Sequence, residues 1–175
     1  MIDTPLGARR KQFCPYCGDK LDLRVLDGID RLFCNTCRDA VYENPIPATC
    51  IVAPDSDGRI LLVKRKMPPK QGSWCLPGGF LELQESPEQG ALRELKEETD
   101  LTGRIDRMLG VMATPSSLYH TVLLIGYLVT EWSGNPKAMD DAEAFNFFAP
   151  DNLPPIAFTS HEHFIRLYDA AYAIQ

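Results

Sequence analysis

Short apolar runs separated by turn-forming residues predict a chain that is built mainly from β-strands. Two of these runs, at residues 48–53 and 59–65, flank a turn sequence at 54–58, so together they predict a β-hairpin. Residues 74–83 are predicted to be extended, and further strands are predicted at residues 104–113, 120–131 and 144–148.

One helix in the middle of the chain is marked by its end signals. Ser86 fits the N-cap, Pro87 fits the first helical position, and Gln89 completes a capping box. The helix is predicted to extend to about Thr99, with Asp100 in the left-handed conformation after it. A second helix is predicted from residue 159 or 160 onward, and strands with two helices predict a mixed α/β architecture in which helices cover a sheet.

The composition of the 175 residues is that of a soluble globular protein, with 45% hydrophobic and 24% charged residues. No apolar run approaches the length of a transmembrane helix, so no membrane partner is expected. No apolar segment follows the basic residues 9–11, so no signal peptide is predicted and a cytoplasmic location is the default expectation. The net charge of −6 disfavours binding to a nucleic-acid backbone.

Four cysteines form two CxxC pairs near the N-terminus, namely Cys14, Cys17, Cys34 and Cys37. Two such pairs can hold one Zn²⁺ in a closed tetrahedral site, which is typical of a structural zinc ribbon. The segment is too small for a stable core, so the metal would stabilise its fold. A redox CxxC and an iron site are alternatives that two matched pairs disfavour. The other two cysteines, Cys50 and Cys75, are expected to be inert core residues.

The function of the ribbon stays open between binding a nucleic acid or protein, packing on the domain, and forming a dimer. Its five basic residues are balanced by five aspartates, which disfavours nucleic acid. Two prolines within residues 43–47 bar a helix and hinder strand pairing, so a linker is predicted there. The chain is therefore divided into a tail and zinc ribbon at 1–43 and a second domain at 44–175.

The central helix carries three glutamates on one face, because Glu94, Glu97 and Glu98 are three and four residues apart. They repel one another, and they lie near the helix C-terminus, where the helix dipole disfavours negative charge. A solvated helix face is the ordinary explanation of such a cluster. A hard divalent cation such as Mg²⁺ would remove the repulsion and bind a substrate phosphate as well. Arg93 can pair with the carboxylates and fix their orientation.

The spacing from Gly79 through Glu85 to the run Arg93-Glu94-Leu95-Lys96-Glu97-Glu98 resembles the Nudix box. Asp100 replaces the glycine that ends the box, a change that affects the helix cap and no ligand. The order of ribbon, hairpin and box is similar to zinc-ribbon-bearing Nudix hydrolases. The resemblance implies an α/β/α sandwich with a mixed sheet, and hydrolysis of a diphosphate bond.

The resemblance also implies the site residues. The metal ligands for Mg²⁺ or Mn²⁺ would be Glu94, Glu97 and Glu98, supported by Glu85 and the carbonyl of Gly78. Arg93 belongs to the catalytic group, and Glu143 is either a further catalytic or metal-binding residue or a solvated loop carboxylate. Gly78 and Gly79 would let a phosphate approach the main chain closely. Which glutamate, if any, acts as the general base stays open.

The substrate is expected to be a small nucleotide of the FAD or ADP-ribose type. Residues 113–119 lack the Ser-Gln-Pro-Trp-type motif of the NADH-cleaving relatives, which disfavours NADH. Tyr119 is a candidate to stack on a base or flavin, with an ordinary packing role as the alternative. Related enzymes are often dimers, so a homodimer is compatible with the resemblance. His120, His161 and His163 show no metal-ligand spacing and are interpreted as structural or surface residues.

The main alternative function is a non-catalytic Nudix-like module that senses a nucleotide or binds a partner. Degenerate boxes usually lose glutamates, and this box retains all of them, which favours an enzyme. A nucleic-acid-binding protein that acts through its ribbon is a second alternative, and salt-dependent binding to DNA or RNA would support it.

Overall fold

A computed structural model describes residues 10–116 and 118–172, so most of the predicted N-terminal tail lies outside the described residues. The first compact unit contains the chain up to Ile46 together with Pro115–Val122, and the second contains Pro47–Thr114 and the chain from Leu123 onward. The division into domains at 1–43 and 44–175 stays a prediction.

The first unit contains three antiparallel strands, which are β1 (Asp22–Leu26), β2 (Ile29–Cys34) and β3 (Asp39–Val41). Their order in the sheet is β1-β2-β3, so β2 is central. One face of this sheet is buried in a small core that comprises Cys14, Leu21, Leu32, Cys34 and Val41. A core of this size is consistent with a segment that depends on a metal.

The remaining strands form three further sheets. Their bounds are β4 (Ile46–Val52), β5 (Ile60–Arg65), β6 (Trp74–Cys75), β7 (Thr102–Arg104), β8 (Arg107–Ser116), β9 (His120–Leu128), β10 (Glu131–Ser133) and β11 (Ala142–Phe148). The sheet orders are β4-β9-β8, β11-β5-β6 and β10-β7. With the helices α1 (Pro87–Thr99) and α2 (Thr159–Tyr172), they confirm the mixed α/β fold. Neither helix is long and apolar enough to cross a membrane.

The hairpin predicted for β4 and β5 is only partly correct. The turn closes as expected, because the Leu61 N–H donates to the Ala53 carbonyl at 3.0 Å. The two strands then join different sheets, since β4 pairs with β9 and also exchanges hydrogen bonds with residues 77–81. The prediction of a linker at residues 43–47 was also wrong at its C-terminal end, because β4 begins at Ile46. Pro47 lies inside β4, where its carbonyl accepts from the Leu81 N–H at 3.2 Å.

Two long predicted strands are each divided in the structure. The first becomes β7 and β8, and the second becomes β9 and β10. β7 and β10 pair with each other in a separate two-stranded sheet, with Trp132 opposite Gly103. The chain therefore leaves one sheet and enters another within a single apolar run, a change of direction that alternation of apolar residues does not encode.

The end signals of α1 are confirmed. The Ser86 hydroxyl accepts from the Gln89 N–H at 3.3 Å, and the Gln89 side chain accepts from the Ser86 N–H at 2.7 Å. Asp100 ends the helix in the left-handed conformation at φ 59°. The buried residues Ala91 and Leu95 of α1 pack in a core cluster with Leu101 and with residues of β4, β5 and β9. α1 is thus fixed at both ends and along one face, which positions its polar face.

Candidate active site

The guanidinium of Arg93 is the centre of the polar face of α1. Its Nε and Nη2 donate to the two oxygens of Glu85 at 3.0 and 2.8 Å. Its Nη1 donates to Glu94 at 2.8 Å and to Glu97 at 2.9 Å, and Nη2 also donates to the Phe80 carbonyl at 3.0 Å. These contacts use all five N–H donors of an arginine. One residue therefore fixes three carboxylates and the backbone before the helix.

Glu98 lies on the inner side of the same cluster and differs from its neighbours. It is only 7% exposed, and its carboxylate accepts from the Gly78 N–H at 3.0 Å. Burial raises the pKa of Glu98 to about 8, and burial also raises the pKa of Glu94. Glu97 has a side chain that is 45% exposed. The three glutamates thus extend from the surface to the interior.

Close contacts require glycine in the loop before α1. A Cβ atom on Gly78, where φ is +150°, would lie 2.2 Å from the Thr49 carbonyl oxygen of β4. A Cβ atom on Gly79 would lie 2.4 Å from an oxygen of Glu94. The loop also pairs with β4 through the Thr49 N–H, which donates to the Gly79 carbonyl at 2.8 Å. Any side chain at Gly79 would displace Glu94 or the loop.

A buried histidine anchors this loop from the other side. The Leu76 N–H, two residues before Gly78, donates to Nδ1 of His161 in α2 at 3.1 Å. Burial lowers the pKa of His161 to about 3, and the positive charge of Arg65 contributes to the same effect. His161 is therefore neutral and accepts through Nδ1. The sequence interpretation of this histidine as structural agrees with its burial.

Two aspartates that the sequence analysis did not select lie beside the cluster. The Met139 N–H donates to the Glu98 carbonyl at 3.1 Å, which holds the following residues against the end of α1. Burial and then Glu97 raise the pKa of Glu94, and the charge of Asp140 adds to this effect. Burial and then Glu94 raise the pKa of Glu98, and the charge of Asp141 adds to this effect. An Asp-Asp pair in a loop has no sequence signal of its own, since only the long-range docking of the loop brings it to the helix.

Glu143 is set apart from the regular pairing of β11. Ala142 is opposite Arg65 and Ala144 is opposite Lys64, so Glu143 is an extra residue at a register shift. Such bulges redirect a side chain. The Glu143 carboxylate is 54% exposed and forms an ion pair with Lys64 at 3.5 Å. Its catalytic role stays a prediction.

The four predicted zinc ligands come together in the first unit. All four Sγ atoms lie within 4.8 Å of one another, and the Cys14–Cys37 and Cys17–Cys34 sulfur pairs are 3.8 and 3.4 Å apart. Tetrahedral bonds of about 2.3 Å to zinc place sulfurs about 3.8 Å apart. Hydrogen bonds with the neighbouring thiols raise the pKa of Cys37 to about 12. Four thiolates therefore need a cation, and the donor set fits Zn²⁺.

The remaining predicted residues are placed as follows. Tyr119 lies in the turn between β8 and β9 and belongs to the first unit, where its N–H donates to the Ser116 hydroxyl at 3.2 Å. The carboxylates belong to the second unit, and the substrate-binding role of Tyr119 stays a prediction. Cys50 and Cys75 are buried, and burial raises the pKa of Cys75 to about 12, as expected for inert thiols.

Comparison with known proteins connects this geometry to a family. A model described as the NUDIX domain matches residues 44–168. An ADP-ribose pyrophosphatase from Methanocaldococcus jannaschii is 41% identical over 115 residues, which cover 65% of this chain and 68% of the relative. The NAD-capped RNA hydrolase NudC from Vibrio vulnificus is 31% identical over 150 residues, which cover 85% of this chain and 54% of NudC. The chain therefore spans about half the length of NudC.

Most of the chain also matches a solved structure. The crystal structure of a NUDIX hydrolase from Nitrosomonas europaea matches with a TM-score of 0.76 and 25% identity, and the match covers 93% of both chains. This coverage extends beyond the region of the family model, so it includes part of the first unit.

Proposed function

The chain belongs to the Nudix family and is a pyrophosphohydrolase, and we propose that it cleaves the diphosphate of ADP-ribose or FAD with a divalent metal. The products would be AMP and the phosphorylated second half of the substrate. The observation that carries the proposal is the group of carboxylates that Arg93 fixes beside the loop of Gly78 and Gly79.

The donor set of this cluster fits a hard divalent cation. Glu94, Glu97 and Glu98 supply carboxylate oxygens, the ligands that Mg²⁺ and Mn²⁺ prefer. Arg93 contacts the first two, whereas Glu98 receives one backbone N–H and is buried. A buried carboxylate without a cationic contact is costly, and a bound cation would offset that cost. When bound, a divalent cation supplies charge neutralisation for the diphosphate and activates the attacking water.

The protein's own residues would orient the reaction. Arg93 keeps Glu94 and Glu97 in fixed positions, so their oxygens need no rearrangement when substrate arrives. Gly78 and Gly79 let the loop pack directly against β4 and the Glu94 carboxylate, which places its main chain beside the proposed metal site. Water would attack one phosphorus and pass a proton to a carboxylate, while the bond from that phosphorus to the bridging oxygen breaks and the other phosphate leaves with that oxygen.

We propose that Glu85 orients Arg93. Both of its oxygens bind Arg93, and one of them also accepts from the Glu82 N–H at 2.6 Å. The hydrogen bonds from Arg93 lower the pKa of Glu85 to about 2, so it remains ionised. These contacts support a role in holding Arg93, with metal ligation left to the helix glutamates. Glu97 and Glu143 are the two more exposed carboxylates and are the candidates for the general base.

The relative from Methanocaldococcus jannaschii supports ADP-ribose as the first substrate to test, since it is an ADP-ribose pyrophosphatase. The NudC relatives raise a second candidate, an NAD-type diphosphate, because their matches cover more of this chain. The missing Ser-Gln-Pro-Trp-type motif at residues 113–119 argues against that candidate. For the ribbon, we propose a structural Zn²⁺ held by the four cysteines.

The test is release of AMP from ADP-ribose, FAD, NADH and NAD⁺ in the presence of Mg²⁺. Glu97→Gln should lose several orders of magnitude in kcat, whereas Glu131→Gln should retain native kcat because its side chain pairs with Arg104 on the surface. Full activity of Glu97→Gln, or the absence of turnover with every compound, would contradict the proposal and favour a nucleotide-sensing module.

A further inference from the structure

The ribbon sheet separates charges that cancel in the sequence. Arg24 of β1 is directly opposite Arg31 of β2, so the two share a face. Asp30 is opposite Val25, one position further along, and therefore lies on the other face. Asp39 is also on that other face, because it is opposite the buried Cys34. Asp22 is opposite Phe33 and shares the face of the two arginines, so among the strand residues this face carries an excess of one positive charge.

Two guanidinium groups on this face stack on aromatic rings. The Cζ atom of Arg24 is 4.1 Å from the ring centroid of Phe33, and that of Arg31 is 4.9 Å from the ring of Tyr42. We call the surface formed by Arg24, Arg31, Phe33 and Tyr42 the arginine face. Tyr42 is 56% exposed, and neither guanidinium forms an ion pair with a carboxylate anywhere in residues 10–116 or 118–172.

This arrangement is costly for the protein alone. Like charges directly opposite each other in an antiparallel pair are destabilising. Arg24 contacts a ring and the Asn35 amide oxygen, and Arg31 contacts a ring; these neutral contacts are weaker than a paired carboxylate would provide. An anion placed across Arg24 and Arg31 would remove the repulsion between them. The exposed ring of Tyr42 beside the two cations suits a ligand that has flat groups next to its negative charges.

We propose that the arginine face binds single-stranded RNA. Proteins that bind single strands combine cations for the backbone with aromatic rings on which the bases stack. Arg24 and Arg31 would contact phosphates, and Tyr42 would stack on a base. Beside them, Asn35 accepts from Arg24 and donates to Asp22, and an Asp22 carboxylate has further capacity to accept. The 2′-hydroxyl of RNA would donate a hydrogen bond to this carboxylate, and DNA lacks that hydroxyl.

The overall charge of −6 does not oppose a site of this kind, because screening limits exposed charges to a range of about 8 Å at physiological salt. The binding site is therefore governed by the charges on its own face. The proposal is independent of the hydrolase site, since all its residues belong to the first unit.

The experiment measures binding of fluorescein-labelled U12 to the full zinc-loaded chain by anisotropy, from 0.05 to 0.3 M NaCl without Mg²⁺. The double variant Arg24→Gln/Arg31→Gln should bind about 60-fold more weakly at 0.05 M, because each lost phosphate contact removes the release of ~0.7 counterions. The slope of log K against log salt should fall in magnitude by about 1.4. Tyr42→Ala should lose affinity about fivefold or more and keep the native slope.

The matched control is Arg104→Gln, which removes one exposed positive charge from the second unit and should change affinity less than twofold. The zinc content of every variant is measured, because a variant that keeps its zinc has lost contacts with RNA and not the fold of the ribbon. The proposal is overturned if U12 does not bind at 0.05 M salt, or if the double variant binds like the native chain. Equal binding of dT12 would overturn the assignment to RNA, and stronger binding of a polyglutamate peptide would indicate a protein partner.

Discussion

Lowering the pH tests the anchor between α2 and the glycine loop. His161 is buried, with 8% of its surface exposed, and its Nδ1 accepts from the Leu76 N–H at 3.1 Å. Burial lowers its pKa in the folded chain to about 3. In the unfolded chain the same side chain titrates near its ordinary pKa of about 6.5. Below that pH the unfolded state therefore binds a proton that the folded state does not.

The sign and size of the effect follow from these two pKa values. The free energy of unfolding falls as the pH decreases from about 6.5 toward 3. The contribution of His161 at pH 5.5 is about 1.4 kcal/mol less favourable than at pH 7.5, and about 2 kcal/mol less favourable at pH 5.0. Glu98 acts in the opposite direction. Its raised pKa makes the folded state bind the extra proton, so acidification stabilises the fold through that group.

The assay compares the native chain with His161→Asn, which isolates the histidine from other titrating groups. An asparagine oxygen can accept a hydrogen bond and does not titrate. Urea unfolding at pH 7.5 and 5.5 is followed by the fluorescence of Trp74 and Trp132, which both belong to the second unit. The native chain should lose about 1.4 kcal/mol more stability than the variant on acidification. An equal loss in both proteins would refute the reasoning, because His161 would then be protonated in the fold.

Four other substitutions test the remaining parts of the structure. Gly79→Ala should lower kcat at least tenfold with little change in KM, because its Cβ would lie 2.4 Å from an oxygen of Glu94; steady-state kinetics checks this. Arg93→Lys keeps the charge but not the five donors, so kcat should fall about 100-fold in the same assay. Cys34→Ser should lose zinc, measured by metal analysis, while hydrogen exchange of α1 stays native. Glu98→Gln should stabilise the metal-free chain by up to about 4 kcal/mol at pH 7.5 and abolish the rise in Tm with Mg²⁺.

Local signals were sufficient for the central helix and for the grouping of its charges. The capping box of Ser86 and Gln89 and the left-handed Asp100 depend on residues a few positions apart, so the sequence specifies them. The spacing of Glu94, Glu97 and Glu98 likewise follows from helix geometry alone. The depth of each glutamate does not follow, because burial of Glu98 depends on the Gly78 loop and β4, which are distant in sequence.

Long-range pairing explains the parts that the sequence did not predict. β4 and β5 are joined by a proper turn and still separate, because β4 finds its partners in β9 and in the loop after Pro77. Asp140 and Asp141 reach the cluster through long-range hydrogen bonds, which include those from the Met139 N–H to the Glu98 carbonyl and from the Lys66 N–H to the Asp141 carbonyl. The charge separation of the ribbon also depends on register, since shifting β1 by one residue would exchange its faces.

Stability and activity have opposite requirements at Glu98. Arg93 satisfies the more exposed glutamates, and all five of its donors are engaged, so none is left for the buried one. The charge of Arg65 offsets the raised pKa of Glu98 only in part. A cationic side chain in direct contact with Glu98 would stabilise the metal-free fold, but it would also compete with a divalent cation for the carboxylate. The nearby negative charges of Asp140 and Asp141 have the reverse effect. They increase the repulsion between carboxylates in the metal-free chain, and they increase the attraction of the cluster for a cation. The proposed metal would therefore be bound at the expense of the stability of the free chain.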